Sequence, residues 1–141
     1  MNIPLTGEIG ELIGEIRTAL IDEVQQRVNA AGYGDVKAIH DCVFRYLNPD
    51  GTRLQELANR SHMAPQSIGW HVDELERLGY LERVPDASDR RAKLIRPTKH
   101  GLAFMATSKD ALADIEKQWI NAVGKDALTQ LRDTLAAIRS L

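Results

Sequence analysis

The chain has 141 residues, 43% hydrophobic and 27% charged, with a formal net charge of −2. This fits one globular domain or one subunit of an oligomer. The opening MNIPLTGEIG lacks the basic and apolar regions of a signal peptide, no apolar run is long enough to span a membrane, and Cys42, the single cysteine, excludes an internal disulfide. The expectation is a cytoplasmic protein with no membrane partner.

Residues 8–30 form the first predicted helix, with Ile9, Leu12, Ile13, Ile16, Leu20, Val24 and Val28 at helical spacing. AAGYGD ends it. Asp35 is placed to cap a second helix running to about Leu47, with Val36, Ile39, Val43 and Leu47 inward. NPDG is a turn. Thr52 with Gln55 reads as a capping box opening a short helix whose inner residues are Leu54, Leu57 and Ala58.

Pro65 suits the first position of the next helix, although Ala64 before it is a poor cap. Ile68, Val72 and Leu75 make its inner stripe. Trp70 lies roughly 200° around the helix from Ile68 at about 100° per residue, on the side of Gln66, Asp73 and Arg77. Gly79 is the expected left-handed end. Tyr80 to Val84 alternate as a strand, PDASDRR is a polar turn, and AKLIRP returns as a second strand. Thr98 caps a long helix to about Val123, and Gly124 breaks it. Leu128, Leu131, Leu135 and Ile138 then follow a seam-like spacing in a final helix. The expected class is mainly α with a small β-hairpin wing: a winged helix-turn-helix flanked by N- and C-terminal dimerisation helices. The expected divisions are residues 1–34, 35–101 and 102–141.

Charge is unevenly distributed along this order. Residues 1–30 hold a net of −3, whereas residues 84–100 hold a net of +3 from Arg90, Arg91, Lys93, Arg96 and Lys99 against Asp86 and Asp89. A total of −2 would argue against a nucleic-acid partner, but a local basic segment can still bind an anion.

Residues 52–101, TRLQELANRSHMAPQSIGWHVDELERLGYLERVPDASDRRAKLIRPTKHG, resemble the MarR family of winged-helix transcriptional regulators. LQELA, VDELERLGYLER, DRRA and PTKHG carry the resemblance in order. It implies a homodimer on pseudo-palindromic double-stranded DNA, often a repressor released by a small-molecule effector. It also implies that the helix from Pro65 enters the major groove, that Arg91 reaches the minor groove, and that Asp89 supports the wing. Three positions depart from the pattern. Ala64 replaces the usual Ser or Thr, Trp70 stands where arginine is frequent, and Pro97 replaces the leucine of the exit motif.

The candidate DNA-binding residues are Gln66, Ser67, Gly69, Trp70, His71, Arg90, Arg91 and Lys93. Gln can pair with adenine, and arginine is drawn to narrow minor grooves. For Trp70 three readings stand: DNA contact, packing against protein, or plain exposure. Gly69 would permit close backbone approach. Ile9, Ile13, Ile16, Trp119, Leu128, Leu131, Leu135 and Ile138 are the candidate dimer interface, against the alternative of an intrachain bundle. Residues of an effector site are not identified.

His40, Asp41, Cys42, His62, His71 and His100 have ligand chemistry but no strong ligand spacing, so no metal or cofactor is expected. Cys42 has no local feature of a reactive thiol. No catalytic constellation or phosphate-binding motif marks an enzyme. The rival to a regulator is a winged-helix protein-interaction module without sequence-specific DNA binding.

Overall fold

The first helix, α1, spans Glu8–Ala30, with Glu8 and Glu11 at its positive N-terminal end. The structure is a computed structural model and describes residues 7–141. Most of the MNIPLTGEIG segment read against a signal peptide lies outside the described residues.

The expected helix from Asp35 to Leu47 is much shorter. A 3-10 turn, Ala38–His40, leads into α2, Asp41–Phe44. Asp35 does not cap it, because its carboxylate accepts the Tyr80 hydroxyl at 2.5 Å. The tighter 3-10 winding also turns Ile39 outward, so that residue is exposed while Val36, Val43 and Leu47 are buried.

Thr52 does not cap α3, Leu54–Ser61, either; Arg53 takes the N-cap position. Thr52 instead exchanges two backbone hydrogen bonds with Ile95, at 2.8 and 2.9 Å, and its hydroxyl accepts the Asn48 N–H at 2.9 Å. The chain before α3 is thereby bound to the wing. His62 ends α3 in the left-handed conformation, with φ of 56°.

α4 spans Pro65–Arg77, with Pro65 in the first turn and Ile68, Val72 and Leu75 buried as the spacing predicts. Gly79, at φ of 88°, lets Tyr80 N–H reach Leu75 C=O at 2.9 Å and Gly79 N–H reach Glu76 C=O at 3.0 Å. These two bonds close the helix as a Schellman motif. β1, Leu81–Asp86, and β2, Asp89–Pro97, form an antiparallel hairpin. The turn is shorter than PDASDRR suggests, since Asp89, Arg90 and Arg91 already belong to β2.

Thr98 then opens α5, Lys99–Val123, its hydroxyl accepting the Gly101 N–H at 3.1 Å. Gly124, at φ of 93°, separates α5 from α6, Lys125–Arg139. Among the described residues the order is therefore mainly helical with one hairpin, the winged helix-turn-helix arrangement expected. The core draws on nearly every element up to Phe104, including Val28, Val43, Leu57, Ile68, Tyr80 and Ile95. Full burial of one such side chain contributes about 1.5–3 kcal/mol.

The chain divides into two compact units, one ending at Ser108 and the other Lys109–Leu141, with the division inside α5. In the second unit Trp119, Ile120, Leu128, Leu131 and Leu135 line a recess of about 340 Å³ with Glu116, Lys125, Thr129 and Arg132. Among the described residues no helix is long and apolar enough to cross a membrane.

Candidate nucleic-acid interface

The outer side of α4 is formed by what its inner stripe excludes. Burial of Ile68, Val72 and Leu75 leaves Trp70 67% exposed. Gln66 is exposed as well, and Ser67 and Gly69 are partly so. Trp70 packs in no protein core, which removes intrachain packing from its three readings.

Three acids on the same helix would oppose a polyanion, but each is engaged within the protein. Asp73 and Glu76 both accept from Arg83 of β1, at 2.7 and 2.9 Å. Glu74 accepts from His40 at 2.9 Å, and that bond holds its carboxyl below the usual range. The N-terminal half of α4 carries no acid.

His71 is less available than the sequence suggests. It is partly buried, with its ring edge-on to His40 at 5.9 Å between centroids. The ligand atoms of His40, His71 and Glu74 lie within 4.8 Å of one another, a grouping that sequence spacing did not reveal. Its hydrogen bonding decides its chemistry. His40 Nδ1 accepts the Lys37 backbone N–H at 2.9 Å, so the ring proton sits on Nε2 and is donated to Glu74. A metal on Nε2 would require the opposite tautomer, with Nδ1 donating. The cluster is thus built as a strut from the 3-10 turn to α4. At Cys42, burial pushes the thiol up, away from thiolate reactivity.

The wing separates its cations into two sets. Arg83 is neutralised by Asp73 and Glu76 of α4, Arg96 by Glu82 across the hairpin at 2.7 Å, and Arg53 by Asp86 at 2.7 Å. Among the described residues, no ion pair engages Arg90, Arg91 or Lys93. The register explains their presentation. Pro85 pairs with Lys93 and Asp86 with Asp89, so Arg90, Arg91 and Ala92 have no opposite residue. They form a bulge, which bends a strand and redirects its side chains. Asp89 accepts the Arg91 backbone N–H at 3.0 Å, a local brace within that bulge.

Sequence reasoning missed Asp86 and Arg53. The wing carboxylate it named was Asp89, which is exposed, whereas Asp86 is only 8% exposed. Their 33-residue separation gave no local signal.

A short helix pair, an exposed α4 face and a bulged cationic hairpin follow one another here, and residues 46–93 across them match the MarR family model. Similar solved structures include a MarR-family regulator from Rhodococcus sp. RHA1, at 24% identity and TM-score 0.72, covering 97% of this chain and 96% of that one. CouR from Rhodococcus jostii RHA1, bound to p-coumaroyl-CoA, is 25% identical with TM-score 0.73, covering 97% and 95%. FabT from Streptococcus pneumoniae, in complex with DNA, is 18% identical with TM-score 0.77, covering 94% and 93%. No curated protein matches this sequence.

Proposed function

We propose that this protein is a MarR-family DNA-binding transcriptional regulator, a homodimeric repressor of a pseudo-palindromic operator. Its α4 would lie in the major groove, with Gln66, Ser67 and Trp70 toward base edges and Gly69 allowing close approach. Arg91, with Arg90 and Lys93 beside it, would reach the minor groove and its flanking phosphates. The observation that carries this reading is the division of charge. The acids of α4 are neutralised internally, while the three cations at the wing bulge have no acidic partner among the described residues.

The flanking segments, residues 1–34 and 102–141, are assigned to dimerisation. Two half-sites about one helical turn apart need two recognition helices. A small molecule would act by changing the spacing of those helices, so that both no longer fit one operator. The p-coumaroyl-CoA bound to CouR and the DNA bound to FabT support ligand-responsive DNA binding as the reading for this fold.

The test is selection from a random duplex library, followed by salt titration on the recovered site. Arg91→Ala should weaken binding and lower the slope of log affinity against log salt by about one. Trp70→Ala should alter the selected sequence more than the slope. No recovered site at low salt, or an unchanged slope in Arg91→Ala, contradicts the assignment.

A further inference from the structure

We propose that Asp86 is the positioning residue of the wing: without touching DNA, its carboxylate fixes the turn and bulge that present Arg90 and Arg91. The inference rests on the wing–DNA reading above.

Asp86 gathers four donors on one carboxylate. Oδ1 accepts the Ser88 backbone N–H at 2.9 Å and the Ser88 hydroxyl at 2.7 Å. Oδ2 accepts Arg53 Nε at 2.9 Å and Arg53 Nη2 at 2.7 Å. The Ser88 bonds set the two-residue turn, Ala87–Ser88, between the strands. The Arg53 bonds tie that turn to the N-cap of α3. Such charge-assisted contacts are directional and favour one geometry. Asp86 also pairs across the hairpin with Asp89, whose side chain braces Arg91. A continuous set of contacts therefore runs from α3 through Arg53, Asp86 and Asp89 to Arg91. These donors hold the Asp86 carboxyl down at about 2, so it is ionised at any working pH.

Charge alone predicts the opposite of positioning, which makes the proposal decisive to test. Asp86→Asn removes an anion beside DNA and releases the Arg53 cation, and both changes should strengthen binding to a polyanion. If Asp86 positions the wing, the same substitution weakens binding instead.

The experiment measures affinity for a duplex recovered by the wild-type protein from the random library, across a salt series. Wild type, Asp86→Asn, Arg53→Lys and Arg91→Ala are compared, and each is melted to show that it is folded at the assay temperature. Asp86→Asn should lose about tenfold in affinity and show a salt slope shallower by up to about one. Arg53→Lys keeps the cation but loses the two-nitrogen contact, and should weaken binding in the same direction. It also decides the matter if Asp86→Asn does not fold. Equal or tighter binding by folded Asp86→Asn, or wild-type behaviour of Arg53→Lys, overturns the proposal. If Arg91→Ala weakens binding while those two do not, the wing reading survives and only the positioning role is lost. If Arg91→Ala is itself silent, the wing reading fails and the positioning role falls with it.

Discussion

Gly69 and Trp70 adjoin one another on α4, and neither is chosen for the helix itself. Glycine inside a helix costs about 1 kcal/mol relative to alanine. Space does not demand it, since a Cβ at Gly69 would meet only Leu54 Cδ2, at 4.0 Å. Gly69→Ala should therefore raise stability by about 0.5–1 kcal/mol in denaturant unfolding. If the glycine serves close approach to DNA, the same variant should bind the selected duplex more weakly. Increased stability with unchanged affinity would remove Gly69 from the interface. At this scale periodicity was informative for Trp70, because its neighbours keep strict helical spacing. It failed at Ile39, where a 3-10 turn replaced the α-helix and rotated the residue outward. It also failed for the strut of His40 with Glu74, whose partners lie 34 positions apart.

Between elements, the exit from the wing shows why particular residues were legible as a pattern but not as a cause. Pro97 ends β2 opposite Leu81, where a missing donor is tolerable at the end of a strand. Thr98 N–H then donates to Tyr80 C=O at 3.0 Å, and its hydroxyl donates to Gly79 C=O at 2.6 Å. These bonds hold the start of α5 against the end of α4. The approach leaves no room at Gly101, where a Cβ would stand 2.0 Å from Tyr80 O and 3.2 Å from Pro97 Cβ. Gly101→Ala should cost about 1–3 kcal/mol, because a backbone carbonyl cannot swing aside as a flexible side chain can. Unfolding in urea checks this, with the exposed Lys99→Ala as the comparison. An effect equal to that of Lys99→Ala would show that α5 shifts without cost. The sequence revealed the helices other than α2, the hairpin, the Thr98 cap and the Gly79 and Gly124 breaks, all of which depend on neighbours within a few residues. It misplaced the caps at Asp35 and Thr52, because their side chains answer to Tyr80 and to Asn48, and Thr52 is also bridged to Ile95.

Across the whole molecule, large apolar side chains lie exposed towards both ends of the sequence. On α1, Ile9 is 71% exposed, with Leu12, Ile13 and Ile16 also open. On α6, Leu131, Leu135 and Ile138 are exposed too. Contiguous apolar patches beyond a few hundred Å² mark surfaces that another chain covers. α1 and α6 each carry exposed apolar side chains, and the homodimer proposed above would give them a cover without a second gene product. Ile13→Lys and Ile138→Lys place a charge on these surfaces without removing a core residue. Each should leave helicity unchanged, reduce the sedimenting mass toward that of one chain, and weaken binding to a two-half-site duplex far more than to a single half-site. That pattern follows because linking two modules makes the second contact intramolecular, which raises the affinity for paired sites well above that for one. A wild-type protein that sediments as one chain at micromolar concentration yet binds the full site tightly would reject the dimer. If the lysine variants remain dimeric, some other surface joins the protomers, and the α1 and α6 faces would need a different occupant.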